Sequence, residues 1–152
     1  MALNPPTKIV PPHWAMLYLA AGLLLHFFWL VNGGARHAVP WFGGPSLALG
    51  FGMMIWAWSL FHKAGTAVHP FEESKLLVRE GPYRFTRNPM YLGMTLILLG
   101  ISFFAGSPPV FLTPLAFFLT LDRIFVPYEE KKMEAAFGET YREYKRRVRR
   151  WI

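Results

Sequence analysis

The sequence contains no cysteine and few charged residues, and both absences narrow the classes of protein that it can encode. Without cysteine, neither a disulfide framework nor a thiolate metal site can form. Charged residues make up only 16% of the 152 residues, whereas hydrophobic residues make up 53%. The Gly-rich dinucleotide fingerprint, the P-loop, the HExxH zinc motif and the GxSxG nucleophile motif are also absent. A soluble fold built around one of these motifs is therefore not expected.

Four apolar segments dominate the rest of the chain, at residues 14–31, 41–61, 90–105 and 109–126. A bilayer core requires about 20 helical residues, within a range of roughly 17 to 25. Only a short turn separates the third and fourth segments, so they predict a tight helical hairpin. We therefore predict an all-α, polytopic membrane protein with about four transmembrane helices, a long cytoplasmic connector and a C-terminal amphipathic helical tail.

The basic residues are concentrated in the parts of the chain that lie outside the apolar segments. Most lie at residue 8, in the connector 63–89, or after Tyr128, and the net charge is +7. By the positive-inside rule, four spans then place both termini in the cytoplasm, and we expect a bacterial inner membrane. Because the apolar runs favour an anionic membrane surface as the partner of this charge, nucleic acid is not expected.

The stretch 81–93 is a basic, turn-rich connector that runs directly into the third apolar segment. Asn88 is a favourable N-cap and Pro89 suits the first helical position, so a helix is predicted to start there. Its positive dipole end would face Arg84 and Arg87, an arrangement suited to a carboxylate or phosphate. The alternative is that these arginines only mark the cytoplasmic entry of a membrane helix.

Charged residues also occur at the end of the fourth apolar segment. Asp122 and Arg123 lie inside the predicted membrane edge, and Glu129 and Glu130 follow at the exit. Charges at this depth are expected to pair, and the arginines of the stretch 81–93 are predicted to lie at the same depth on the partner helix.

The tail 131–152 repeats apolar residues at three- to four-residue spacing, which predicts one or two amphipathic helices on the membrane surface. Its basic run, residues 145–150, predicts an anchor for lipid headgroups. Pro127, just before this tail, is expected to kink the fourth helix and to re-aim the two glutamates.

Two histidines are candidates for chemistry. His26, within the first segment, is either a functional group or a neutral histidine hydrogen-bonded to a neighbouring helix. His69 is followed by Glu72 and Glu73, but the spacing matches neither a helical zinc pair nor a calcium loop. No metal site is therefore expected.

Two groups of motifs closely resemble the signature of the isoprenylcysteine carboxyl methyltransferase and phospholipid methyltransferase family. The first group lies within residues 77–93, and the second combines Glu129-Glu130 with residues 137–149. The resemblance implies a single integral-membrane domain, residues 1–152, that uses S-adenosylmethionine. Residues 1–62 would be membrane anchor helices, and residues 63–152 the cofactor-binding catalytic core.

The resemblance also implies which residues hold the cofactor. The implied cofactor-binding residues are Lys75, Leu76, Leu77, Val78, Tyr83, Asn88, Pro89, Met90, Tyr91 and Glu129. The neighbouring charged residues Arg87 and Glu130 complete the predicted set. The chemistry of these side chains agrees, because the cofactor carboxylate suits the helix start and its arginines. Glu129 can accept from the ribose hydroxyls or the ammonium, and the sulfonium favours the aromatic faces of Tyr83 or Tyr91.

The expected reaction is methyl transfer from S-adenosylmethionine to a lipophilic acceptor at the cytoplasmic face, as in isoprenylcysteine carboxyl O-methyltransferases. Where those enzymes have a substrate-contacting arginine, this chain has Phe125, and its nearest arginine is Arg123. Glu129 and Arg123 are therefore the candidate catalytic residues. A carboxylate or thiolate acceptor needs no general base, whereas for an amine or phenol Glu129, Glu130 or His69 could serve.

The expected partners are a lipophilic or lipid substrate and the membrane lipids. Three alternatives stay open: a phospholipid N-methyltransferase, a sterol-reductase-like enzyme that uses NADPH, and a membrane protein without catalytic activity.

Overall fold

The computed structural model describes residues 9–63, 65 and 76–152, and within them the regular structure is helical. The α-helices are α1 (Pro11–Val31), α2 (Pro40–Lys63), α3 (Pro89–Ala105), α4 (Leu112–Thr120), α5 (Val126–Phe137) and α6 (Glu139–Arg147). Short 3₁₀ turns at Gly81–Arg84 and Pro108–Phe111 precede α3 and α4, and a π-helical turn at Leu121–Phe125 joins α4 to α5. The described part of the chain contains no strand. The predicted all-α class is confirmed.

Three stretches among the described residues are long and apolar enough to cross a bilayer: Pro11–Val31, Pro40–Lys63 and the continuous helical stretch Pro108–Phe137. Helix α3 is apolar but has 17 residues, which places it at the lower limit of spanning length. The outward faces of α1 and α2 expose large apolar side chains, such as Phe28 at 68% and Trp41 at 81%. Lipid would cover such faces in an integral membrane protein.

Helices α2 and α3 form the most extensive helix pair in the fold, and glycines let their backbones touch. A Cβ atom built on Gly50 would lie 2.7 Å from the carbonyl oxygen of Gly93, and the reverse distance is also 2.7 Å. Gly43 and Gly100 form a second close contact of the same kind, seven residues away on each helix. Small residues therefore let α2 and α3 pack closely, whereas Gly52 of α2 has open space around its Cβ position.

The predicted hairpin of the third and fourth segments is also present. Gly106 turns the chain with φ +70°, and its carbonyl oxygen accepts a hydrogen bond from the backbone N–H of His37 at 2.8 Å. The α1–α2 loop and the α3–α4 turn therefore lie at the same end of the bundle. At this end Nδ1 of His26 lies 2.8 Å from Oγ of Ser107. His26 is thus a hydrogen-bonded structural histidine, the simpler of the two readings of the sequence.

The fourth apolar segment does not end near residue 126 as predicted, because the helix continues to Phe137. The backbone N–H of Val126 bonds to the carbonyl oxygen of Leu121, which forms a single π turn. Pro127 has no N–H to donate, so the wider turn before it accommodates a proline inside a long helix. Glu129 and Glu130 therefore project from a continuation of the membrane helix.

The tail also differs from its predicted position. Helix α6 forms, but Tyr141 and Tyr144 of its apolar face are 5% and 6% exposed. They are buried against the protein, and the hydroxyl group of Tyr144 donates a hydrogen bond to the carbonyl oxygen of Tyr83 in the turn before α3. They are consequently not available to face lipid.

The glycine contact between α2 and α3 can be tested with a matched pair of substitutions. We expect Gly50→Ala to destabilise the protein by about 1 to 3 kcal/mol, since its Cβ would meet a backbone oxygen that cannot move aside. Gly52→Ala adds the same methyl group to the same helix in open space and should be neutral or slightly stabilising. Thermal unfolding in detergent compares the two, and equal midpoints would contradict the packing argument.

Candidate active site

A cavity of about 530 Å³ opens beside the start of α3, bounded also by the end of α2, by α5 and by α6. Its size is within the range of about 300 to 1,000 Å³ that is usual for small-molecule sites. The predicted cofactor residues that line it are Leu76, Leu77, Val78, Tyr83, Arg87, Asn88, Pro89, Met90, Tyr91, Glu129 and Glu130. Lys75, the remaining member of that set, lies outside the described residues. Side chains more than 50 residues apart in sequence therefore converge on one space.

Helix α3 begins at Pro89 as predicted, but the side chain of Asn88 does not cap it. The hydroxyl oxygen of Thr86 instead accepts from the backbone N–H of Asn88 at 3.2 Å. The side-chain amide of Asn88 donates to the carbonyl oxygen of Arg150 at 3.0 Å, so it is already used in a tertiary contact. The first turn of α3 lines the cavity, which places the positive end of the helix dipole at the cavity wall.

Tyr91 and Glu129 form the polar contact across the cavity wall. The hydroxyl group of Tyr91, on α3, donates a hydrogen bond to Oε1 of Glu129, on α5. Lys132, another residue that lines the cavity, interacts electrostatically with the same carboxyl group. A carboxylate that accepts one hydrogen bond from the protein keeps further acceptor capacity for a ligand. This contact therefore orients the carboxylate that the sequence predicted to be central.

Aromatic side chains form a second wall of the cavity. The rings of Tyr83 and Phe61 meet edge to face at 5.6 Å, and the hydroxyl group of Tyr144 donates to the carbonyl oxygen of Tyr83 at 2.7 Å. Burial raises the pKa of Tyr83 and Tyr144, and it raises the pKa of Tyr141 to about 12. These phenols consequently stay neutral at physiological pH and offer aromatic faces to a cation.

Part of this wall was not predicted as part of the site. Trp58 and Phe61 come from α2, which was predicted only as a membrane anchor helix, and Tyr141 and Tyr144 were assigned to a membrane-surface helix. For the two α6 tyrosines a signal existed, since both belong to the motif group that resembles the family. For α2 no local signal existed, because a Trp and a Phe near the end of a membrane helix are equally typical of a lipid interface.

The predicted pairing of arginine and glutamate is confirmed for one arginine. Nη1 of Arg87 lies 3.0 Å from Oε1 of Glu130, and both side chains are about nine-tenths buried. Arg84 is exposed and instead lies beside a separate surface hollow. Both oxygens of Glu130 also accept hydrogen bonds at 3.0 Å from Arg150. The prediction that the run 145–150 is a headgroup anchor is therefore wrong for Arg150, whose guanidinium is used inside the protein.

Arg123, a candidate catalytic residue from the sequence, does not line the cavity. Its side chain is 79% exposed and its Nε lies 3.4 Å from Asp122. The reason is geometric, because Asp122 points toward Arg150 and Trp151 and the next residue of the helix then points away. Phe125 is 1% exposed in the core and packs edge to face on Trp14 at 6.4 Å.

The described residues contain no group of three or more side chains placed to hold a metal ion. His69, Glu72 and Glu73, whose spacing was not expected to bind a metal, lie outside the described part of the chain. The site that the structure does describe is thus a mostly apolar cavity with two oriented carboxylates, a buried guanidinium and an aromatic wall.

Fold and site together define a helical membrane protein with a small-molecule cavity at one end of its bundle. The chain matches the phospholipid methyltransferase family over residues 39–140 and belongs to that family. The resemblance predicted from the motifs is confirmed, as is the predicted class of membrane methyltransferase at the level of the family. No solved structure matches the chain.

Individual relatives agree with this assignment. A probable protein-S-isoprenylcysteine O-methyltransferase of Oryza sativa is 35% identical over 81 residues, which cover 51% of this chain and 41% of the relative. Protein-S-isoprenylcysteine O-methyltransferase B of Arabidopsis thaliana is 35% identical over 80 residues, covering 51% and 39%. An uncharacterized protein of Haemophilus influenzae is 38% identical over 63 residues, which cover 41% of this chain and all of that protein. The chain covers less than half the length of the two plant proteins.

Adjacent residues of the π turn provide a test of which charge matters for the fold. We expect Asp122→Ala to destabilise the protein by about 1.5 to 3 kcal/mol, because it removes a charged acceptor from Arg150 and Trp151. Arg123→Ala removes an exposed charge and should change the free energy of unfolding by less than about 0.5 kcal/mol. Thermal unfolding of both variants checks this, and the reverse order would contradict the assignment.

Proposed function

We propose that the protein transfers a methyl group from S-adenosylmethionine to a lipophilic acceptor at the cytoplasmic face of a membrane. Membership of the family supports a methyl donor and a lipid-type substrate. The observation that carries the proposal is that every described member of the motif-implied cofactor set lines the same cavity.

The cavity side chains fit the chemical groups of the proposed donor. Arg87, buried with its Nε free of any partner among the described residues, and the start of α3 suit a carboxylate. Glu129 suits the ammonium or the ribose hydroxyls. Tyr83 and its aromatic neighbours suit the sulfonium, and the apolar residues 76–78 suit the adenine ring. When bound, the donor supplies an electrophilic methyl group with a good leaving group.

The contribution of the protein is then mainly alignment and exclusion of water. Tyr91 holds Glu129 in one orientation through its hydroxyl group, and the aromatic wall limits access of solvent. A carboxylate or thiolate acceptor needs no proton transfer, whereas an amine or phenol would give its proton to Glu129. Glu130 is less suited to that role, because Arg87 and Arg150 already occupy its oxygens.

The proposed membrane arrangement has four spans, namely the three long apolar stretches and the shorter helix α3. Both termini then lie in the cytoplasm. Supporting this, the α1–α2 loop bonds to the α3–α4 turn at one end, while the cavity, the connector and α6 lie at the other. Most basic residues belong to the cavity end, as the positive-inside rule requires for a cytoplasmic face. We propose a single domain in which α2 completes the wall of the site.

A phospholipid amine is the second candidate acceptor, and the family description favours it. Phe125 also favours it. This chain has a buried apolar residue at the position where the prenylcysteine enzymes that it resembles have a substrate-contacting arginine. Incubating the purified protein with methyl-labelled donor and total lipid extract separates the two. Label in methylated headgroups supports the amine acceptor, and label in a base-labile ester supports a carboxylate.

Donor binding can be tested with one substitution inside the cavity and one outside it. We expect Glu129→Ala to weaken S-adenosylmethionine binding at least about tenfold, equivalent to roughly 1.4 kcal/mol, through loss of its charged acceptor. Arg123→Ala serves as the control and should bind like the wild type, since its side chain lies outside the cavity. Calorimetry on protein in detergent gives both dissociation constants. Absence of saturable binding to the wild type would overturn the proposed cofactor.

The hydrogen bond from Tyr91 predicts a smaller effect on the same reaction. Tyr91→Phe keeps the ring and removes the hydroxyl group that orients Glu129. We expect kcat/KM for the donor to fall about five- to thirtyfold, which corresponds to roughly 1 to 2 kcal/mol for one such hydrogen bond. Methyl transfer assays with labelled donor provide the measurement. An unchanged kcat/KM would show that the orientation of Glu129 does not matter.

A further inference from the structure

The four residues after α6 form an irregular segment, which we call the C-terminal strap (Val148–Trp151). The strap lies along the loop that opens α3. The backbone N–H of Arg87 donates to the carbonyl oxygen of Arg149 at 3.0 Å. The carbonyl oxygen of Arg150 accepts from the hydroxyl group of Thr86 and from the side-chain amide of Asn88, both at 3.0 Å. Three consecutive residues at the cavity edge are therefore tied to the strap.

The side chains of the strap bind a second element, the helix that carries the two glutamates. Nε and Nη2 of Arg150 donate to the two oxygens of Glu130, each at 3.0 Å. Nη1 of Arg150 and Nε1 of Trp151 donate to one oxygen of Asp122, at 3.1 Å and 2.9 Å. A bidentate guanidinium–carboxylate pair of this kind is strong, and its geometry is well defined. The strap thus joins the start of α3 to the α4–α5 helix.

Glu130 lies between two guanidinium groups, and they hold it differently. Arg150 engages both carboxylate oxygens with aligned hydrogen bonds. Nη1 of Arg87 lies 3.0 Å away without hydrogen-bond alignment, and Nε of Arg87 has no partner in the described parts of the chain. Because Arg150 takes both oxygens of Glu130, Arg87 keeps donors that this carboxylate does not use, and Arg87 lines the cavity.

We propose that Arg150 is a positioning residue of the donor site: it holds Glu130 so that Arg87 can bind the carboxylate of the donor. The proposal rests on the proposed function, because it takes the ligand of the cavity to be an adenosyl amino acid. Without Arg150, Glu130 would keep Lys145, whose Nζ lies 3.6 Å from its Oε2, but its Oε1 would turn fully to Arg87 and compete with the ligand carboxylate. Arg150 itself touches no ligand and acts only through its neighbours.

Two adenosine thioethers separate this role from general damage to the site. S-adenosylhomocysteine carries the amino-acid carboxylate, whereas 5′-methylthioadenosine has the same nucleoside and thioether without it. For Arg150→Ala in detergent, calorimetry should show about tenfold weaker binding of S-adenosylhomocysteine and nearly unchanged binding of 5′-methylthioadenosine. Arg149→Ala is the matched control, since only its backbone carbonyl takes part and its side chain is exposed. It should bind both compounds like the wild type.

A second variant tests the competition directly. In Arg150→Ala/Glu130→Gln the neutral amide no longer attracts Arg87, so binding of S-adenosylhomocysteine should recover toward the wild type. If Arg150 were merely structural, the double variant would bind no better than the single one. Arg150→Lys keeps the charge but cannot make the bidentate contact, so it should bind S-adenosylhomocysteine with intermediate affinity. It replaces the alanine variant if that variant does not fold.

The outcomes distinguish the two proposals. Wild-type protein that binds neither compound overturns the proposed function and this inference with it. Wild-type protein that binds both, with Arg150→Ala weakening both equally or neither, overturns the role of Arg150 alone. Selective loss of S-adenosylhomocysteine binding, followed by recovery in the double variant, supports it.

Discussion

The ion pair between Glu130 and two arginines distant in sequence is the interaction on which the cavity end of the fold depends. Arg87 comes from the loop before α3 and Arg150 from the strap after α6, while Glu130 belongs to α5. Burying one carboxylate is costly unless its charge and its lone pairs are satisfied, and here two guanidinium groups do so. The same contact closes the chain around the cavity. The same ion pairs therefore fix the positions of the α3 start, the C-terminal strap and Glu130 relative to one another.

The parts of the site that could be predicted are those whose signal is local. The Asn88-Pro89 step marks a helix start whatever the rest of the chain does, and the motif around it identified the cavity residues. The use of the Asn88 side chain could not be predicted, because its partner, the carbonyl oxygen of Arg150, is 62 residues away. The same holds for Arg150, since a basic run near a membrane protein's tail has the composition of a headgroup anchor. Composition reports charge but not its partner.

The membrane half shows the same division between local and tertiary information. Apolar length located the first three helices to within a few residues, but it ended the fourth well before Phe137. Sequence could not show that Gly52 faces away while Gly50 faces α3, because both satisfy the same composition rule. Nor could it show that α2 provides Trp58 and Phe61 to the cavity. The contribution of α2 to the cavity follows from the close packing of α2 against α3, which places the end of α2 beside the start of α3.

The π turn at Leu121–Phe125 has a consequence for how this chain can vary in length. Residues in an α-helix are rotated by about 100° from one to the next, so one inserted or deleted residue rotates everything beyond it by that angle. The turn lies between the part of the helix that packs in the bundle and the part that carries Glu129 and Glu130. Because a π turn holds one residue more than an α turn, a single-residue deletion here can be absorbed as an ordinary α turn that leaves both carboxylates facing Arg87. A further insertion would rotate them away. The length of this helix can therefore change in one direction only, because the π turn can lose a residue but cannot gain one without turning Glu129 and Glu130 away from the cavity.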